Sequence, residues 1–226
     1  MHDQPSSPAA IAAAPPATHP VPTRRTRPLA MVALGAAALV TVLDLVGAAL
    51  SWPAMDALQR ARDAGLSAWD SEATAYDLLG LPQGLAIVGA WVATAVWLGR
   101  ARSAAEGVRR FRHARSPIWL WLGWVVPVVS LWFPYQVVRD VGKAASPSLA
   151  PPPGLAWWWA SWLAWTTLSQ AAGRVSVGRA GTGELIDAFG VLNTLAAALS
   201  VLALALWVRI VLRVVADLEA SVPASA

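Results

Sequence analysis

Asp44 is the one acid set deep inside an otherwise uncharged apolar run, which extends from Arg27 to Asp56. An ionisable side chain at that depth is costly to hold in hydrocarbon, so it marks either a functional site or a hydrogen-bonded structural acid. The second candidate group is the stretch 118–138. There Pro127 and Pro134 each remove a backbone donor and crowd the preceding turn. Ser130 lies between them with a hydroxyl able to serve a freed carbonyl, Trp119, Trp121, Trp124 and Trp132 carry amphipathic rings suited to the headgroup level, and Tyr135 follows Pro134. Arg100 and Arg139 close the apolar runs 78–99 and 116–138. These side chains, Trp119 and Trp121 apart, are the candidate functional residues.

Other chemistry is absent from the sequence. Cysteine is missing altogether, which removes disulfides, Cys–zinc sites and thiol catalysis. Of three His, His2 and His19 lie in a Pro/Ala-rich stretch and His113 stands among arginines. Neither H-E-x-x-H nor G-x-S-x-G occurs, so no catalytic residue, metal ligand, cofactor or enzyme activity is expected. Gly178, Gly181 and Gly183 imitate a phosphate loop but follow no strand and carry no Lys, which makes them a connector. The run Trp157, Trp158, Trp159, Trp162, Trp165 reads as an interfacial belt. A cation-binding aromatic box needs rings from several segments, and this run is local.

What positions these residues is a membrane bundle. Hydrophobic residues make up 57% of the 226 and charged ones only 13%, about half the charge of an ordinary soluble domain. A crossing needs about 20 apolar residues. Five segments qualify, at about 29–51, 79–99, 118–138, 155–173 and 187–208. Lipid leaves the backbone no partner but itself, so each is helical and the fold is all-α. Residues 1–28 form a Pro/Ala-rich tail with no core-forming pattern, read as disordered, and 214–226 a short C-terminal tail; the helical domain is 29–213. Thr23-Arg24-Arg25 imitates an export signal, but the apolar run after it is too long and reads as an anchor.

Arginine placement sets the orientation, because basic residues stay in the cytosol. Arg24, Arg25 and Arg27 precede the first segment, and six Arg lie in 100–115, whereas the loop 52–77 sets five acids against Arg60 and Arg62. The N-terminus and 100–115 are therefore cytosolic. If 118–138 dips in and returns, thirteen of the seventeen basic residues are inside; if it spans, eleven are. The count favours four crossings plus one Pro-broken segment over five crossings. In 100–115, Ala101, Ala104, Ala105, Val108 and Phe111 recur at helical spacing opposite the arginines. That pattern fits either a plain cytosolic loop or an amphipathic helix on the anionic leaflet.

Residues 97–146 carry a more specific pattern: Trp97 and Arg100, then Ser116-Pro117 and Trp119, then Trp124, Pro127, Leu131-Trp132, Pro134-Tyr135, Val138 and Asp140. This resembles the bacterial membrane family called domain of unknown function 4328, over roughly 45–210. Ser103 or a neighbour stands where that family has Asn, and Ser130 replaces another Asn. The resemblance implies a bacterial plasma-membrane location and a helical architecture, and no particular chemistry.

The expected role is a non-enzymatic, multi-pass membrane component that organises partners or lipid. The alternative is a small transporter or channel subunit using Asp44 and the broken segment, as discontinuous helices do. Expected contacts are the bilayer, with anionic lipid at Arg100–Arg115, and a membrane-protein partner or second copy of the chain. Nucleic acid is not expected, because no base-reading module accompanies the arginines. Asp44 should be neutral or bonded to a neighbouring helix, with Thr94, Asn193, Thr194 or the Trp91 indole as donor. Small residues at Ala33, Ala37, Thr41 and at Ala86, Ala90, Thr94 offer the close-packing face.

Overall fold

The computed structural model describes residues 26–67, 70–108, 111, 113, 115–126, 128–176 and 183–221. Among them there is no strand. Four long helices dominate: α1 (Thr26–Asp63), α2 (Gly80–Val108), α5 (Leu155–Ser176) and α7 (Phe189–Ala220). Three short ones join them: α3 (Trp119–Leu122), α4 (Phe133–Ala145) and α6 (Gly183–Asp187).

The packing follows from the buried face of α7. Ala196, Ser200, Ala203, Trp207, Val211, Val214 and Leu218 recur every three to four residues and are all buried, so one stripe faces inward. α1 and α5 pack on either side of it, and α2 packs on α1. The α1 stripe is built from small residues, Ala30, Ala33, Thr41, Gly47, Ser51 and Ala54, which lets neighbouring backbones approach closely.

The long helices alternate in direction. Arg27 at the start of α1 pairs with Glu219 at the end of α7, 3.7 Å away. At that same end Ala30 and Ala33 share a core with Leu98, Ala101 and Ala105 of α2, Leu155 and Trp158 of α5, and Val214. At the opposite end Ala54 and Leu58 of α1 meet Ala172 and Val175 of α5 and Phe189 of α7. There Asp187 accepts hydrogen bonds from Gln59 at 2.8 Å and Arg62 at 3.0 Å, and those two donors hold its carboxyl below the usual range.

Three helices are long and apolar enough to cross a membrane: α1, α2 with the turn before it, and α7. α5 has 22 residues, but five Trp together with Thr166, Thr167, Ser169 and Gln170 dilute its hydropathy. Large apolar side chains such as Val32, 59% exposed, and Leu85, 64% exposed, point away from the bundle.

Several boundaries move. α1 does not end near Trp52; it continues through Pro53 to Asp63, so the acidic stretch 52–77 is half helix. α2 runs unbroken to Val108. Ala101, Ala104 and Ala105 are therefore buried in the protein core and are not a leaflet-facing stripe over 101–105. α7 extends to Ala220, past the tail boundary at 214. Residues 1–25, Arg109, Arg110, Arg112, Pro127 and the connector glycines 178 and 181 lie outside the described residues.

Candidate functional site

The stretch 118–138 is not one helix. It consists of the single turn α3, a reversal marked by the backbone of Val128, a 3-10 turn at Val129–Leu131, and then α4. Its two arms are tied at the base. Arg115 Nε donates to Gln136 Oε1 at 2.9 Å, and its guanidinium sits 4.1 Å from the Phe133 ring centre, a favourable cation–π distance. Arg102 Nη1 donates to the Arg115 carbonyl at 2.8 Å, fixing that base to the end of α2.

The tip of this hairpin reaches along the bundle. Its freed carbonyls are served by indoles: Trp91 Nε1 donates to Trp121 O at 3.2 Å and Trp159 Nε1 to Leu131 O at 3.1 Å. Ser130, expected to serve a freed carbonyl through its hydroxyl, instead donates its backbone N–H to Val126 O at 2.9 Å. Trp124 meets Trp162 of α5 edge-on with centroids 5.8 Å apart. Val128, at the reversal, has φ 67° and ψ −55°, a strained γ-turn geometry for a β-branched residue. Val128→Gly should relieve about 1 kcal/mol, the strain of such a residue less the entropy that glycine loses. A higher midpoint of thermal unfolding in mild detergent is the expected readout, and a lower one would show that the valine side chain holds the reversal.

The remaining hairpin residues are structural neighbours of this turn. Trp132 is partly exposed and meets Phe133 at 6.2 Å. Pro134 is buried in the first turn of α4, a position where its missing N–H costs nothing. Tyr135 lies against Trp159, centroids 6.5 Å apart. Arg139 pairs with the buried Asp140 at 3.1 Å. Arg100 is exposed on α2. His113 lies beside Glu106, 3.4 Å away, and burial with the nearby Arg102 holds its imidazole below the ordinary range.

Beneath the hairpin tip lies a cavity of about 150 Å³. Trp91 of α2, Trp124 of the hairpin, Trp158, Trp162 and Trp165 of α5, and Trp207 of α7 line it. The objection that the Trp run is local therefore fails. Trp158, Trp162 and Trp165 are spaced four and three apart and share one face of α5, and three other segments supply the rest. Trp158 stacks on Trp207 at 4.8 Å and Trp162 on Trp159 at 4.7 Å. The small-residue faces of α1 and α2 open onto the same space through Ala37, Thr41, Ala90 and Thr94.

A second, more polar cavity of about 440 Å³ lies toward the Asp187 end, and Trp165 lines both. Asp44 sits in its wall with Tyr76, Gln83, Ser169 and Asn193. Gln83 Nε2 donates to Asp44 Oδ1 at 2.7 Å. None of the four expected donors does this. Asn193 is engaged with the Tyr76 hydroxyl and Phe189 O, Thr194 with Gly190 O, Trp91 with the hairpin, and Thr94 lines the aromatic cavity. Ser200 and Trp165 also face the carboxyl, but the Ser200 hydroxyl donates to Ala197 O at 2.9 Å. Among the described residues, the buried atoms Asp44 Oδ2, Gln83 Oε1 and Trp165 Nε1 have no hydrogen-bond partner. Buried polar atoms are normally satisfied, and these three stand around one cavity, which makes it the candidate site.

The hairpin thus lines one cavity through Trp124 and Asp44 lines the other, and Trp165 lines both. Gln83 was missed in the sequence because it is uncharged. A Gln within an apolar run is nonetheless a polar group that needs a partner at depth. Among the described residues, no group of three or more His, Asp or Glu is placed to hold a metal ion.

A family model described as Domain of unknown function (DUF4328) matches residues 60–216. It takes in the hairpin, α5 and most of α7, with Gln83, Trp165 and Ser200, while Asp44 precedes it. No curated protein and no solved structure matches the chain.

Proposed function

The chain belongs to the DUF4328 family, and from that premise we propose that it is a non-enzymatic, multi-pass protein of the bacterial plasma membrane that binds a small ligand in the Asp44 cavity. The observation that carries this reading is the convergence of three unpartnered buried polar atoms on a 440 Å³ cavity that adjoins a Trp-lined one. A carboxylate at depth is expensive unless it serves a purpose, and the helix break of 118–138 supplies one wall of the system, as discontinuous helices do in transport proteins. The reading is therefore closer to a transport or channel component than to a scaffold. A lipid- or partner-organising role is the second reading, favoured by the basic end, where each Arg in 100–115 near an anionic leaflet adds about 1 kcal/mol.

In the proposed topology α1, α2, α5 and α7 cross and the hairpin re-enters. Two observations support it: the Arg115–Gln136 tie at the hairpin base and the Arg27–Glu219 pair joining the two chain ends on one side. Both termini are then cytosolic, and the positive-inside rule is satisfied. A reporter active only outside the membrane should be silent when fused after Ala226 and active when inserted after Gly65. Activity after Ala226 would mean that 118–138 spans.

Access to the cavity is tested by thiol labelling, for which a chain without cysteine is well suited. Ser169→Cys in the cavity wall should react with a membrane-impermeant reagent added outside, and Ser148→Cys, in the α4–α5 connection, only with reagent added inside. Protection of Ser169→Cys from both sides would overturn the ligand-cavity reading.

A further inference from the structure

Resting on that reading and naming its ligand, we propose that the Asp44 cavity binds an organic monocation bearing N–H donors, a protonated primary or secondary amine, whose apolar body enters the Trp-lined cavity. Of the three unpartnered atoms, Trp165 Nε1 is a donor that faces the Asp44 carboxyl, whereas Asp44 Oδ2 and Gln83 Oε1 are acceptors that receive no hydrogen bond from the described residues. They stand on adjacent helices and are brought together by the Gln83–Asp44 hydrogen bond of 2.7 Å. A ligand that completes them must donate at least two hydrogens, and it must be positive to suit a carboxylate removed from water. An ammonium with N–H groups meets both needs. A quaternary ammonium meets only the second, and a neutral alcohol meets neither fully.

The body of the ligand is set by the adjoining cavity. At about 150 Å³ with mostly apolar walls, it is the size of an apolar cavity that accepts one benzene ring. Trp165 lines both cavities and Ser200 lines the inner one while facing the carboxyl, so the link between charge and ring is short. The Trp rings of the inner cavity offer apolar faces to the body of the ligand. The approach also favours positive charge: the outer cavity is lined by Asp77, and the loop beyond it carries Asp70 as well as Glu72, which pairs with Arg60 at 3.4 Å. Electrostatic focusing by such a mouth raises the local concentration of cations.

The experiment uses the full chain purified in mild detergent and three probes that share one benzyl group: benzylammonium, benzyl alcohol and benzyltrimethylammonium at equal concentrations, with sodium chloride matched throughout. Trp fluorescence and the thermal midpoint both report, since the rings line the site. Benzylammonium should bind at least tenfold more tightly than either analogue, and Asp44→Asn should lose at least tenfold in affinity for it. Equal binding of the amine and the alcohol would overturn the proposal, as would equal binding of the quaternary probe or the same response to sodium chloride alone. The probe comparison needs only the unmodified chain and so stands even if the Asp44 variant fails to fold. If Ser169→Cys is labelled from outside while the amine shows no preference, the cavity reading survives and the ligand class falls. If Ser169→Cys is protected from both sides, the cavity reading itself has failed.

Discussion

Gly142→Ala should be among the most damaging single-methyl substitutions in this chain. Gly142 is buried within α4, and a Cβ there would overlap the ring of Pro152, with Cδ only 2.5 Å away. A proline ring is part of the backbone and cannot rotate aside as a long side chain can. The chain around it is also constrained. After the helix ends at Ser146, Leu149 and Gly154 take positive φ values of 54° and 80°, and the loop returns to lay Pro152 over α4. Overpacking of this kind costs about 1–3 kcal/mol, because the neighbour must shift bodily. Gly107→Ala is the matched control: nothing lies within 4 Å of the point where its added methyl would sit, so it should be neutral or gain up to about 1 kcal/mol from helix propensity. Thermal unfolding of the two variants in detergent separates them. The double variant Gly142→Ala with Pro152→Ala should recover part of the loss, since contacting residues couple. A harmless Gly142→Ala would mean that the 147–153 connection is not docked on α4.

The long helices were legible in the sequence because lipid imposes one rule on every backbone group. Four of the five apolar segments therefore became long helices, and 118–138 did not. Their ends were less legible. The first segment was expected to end at about 51, yet α1 continues through Pro53, because a single lost donor is tolerable when α6 and α7 pack against the far turns, with Gln59 and Arg62 held by Asp187. The hairpin was legible as a break, since Pro134 opens α4, but its stabilisers were not. The bonds that dock it come from Trp91 and Trp159 on other helices, and no spacing rule links residues so far apart in the chain. Asp44 stood out by charge alone. Its partner did not, because Gln83 becomes conspicuous only once α1 and α2 are known to pack side by side. The aromatic cavity left one trace, the four-and-three spacing of Trp158, Trp162 and Trp165; Trp91, Trp124 and Trp207 join it only through tertiary packing.

Asp44→Leu should destabilise the bundle, and Asp44→Leu combined with Gln83→Leu should restore much of the loss. Gln83 Nε2 has Asp44 Oδ1 as its acceptor at 2.7 Å, and its own Oε1 already lacks a donor. Leucine at 44 would leave the amide of Gln83 with neither bond at a buried site. Stranding one partner of a buried hydrogen bond costs about 1–3 kcal/mol, whereas replacing both by apolar groups is close to neutral. Asp44→Asn keeps an oxygen that can accept from Gln83 and should unfold near the unmodified chain. The coupling between 44 and 83 then appears as a non-additive shift of the thermal midpoint across the four proteins of the cycle. Additive losses would mean that Gln83 turns to another partner when the acid is gone. The cycle also separates stability from function. The double Leu variant should be folded but unable to bind benzylammonium, because the carboxylate and the amide that would receive its N–H groups are both gone. A double variant that is stable and still binds the amine would place the recognition of charge somewhere other than Asp44.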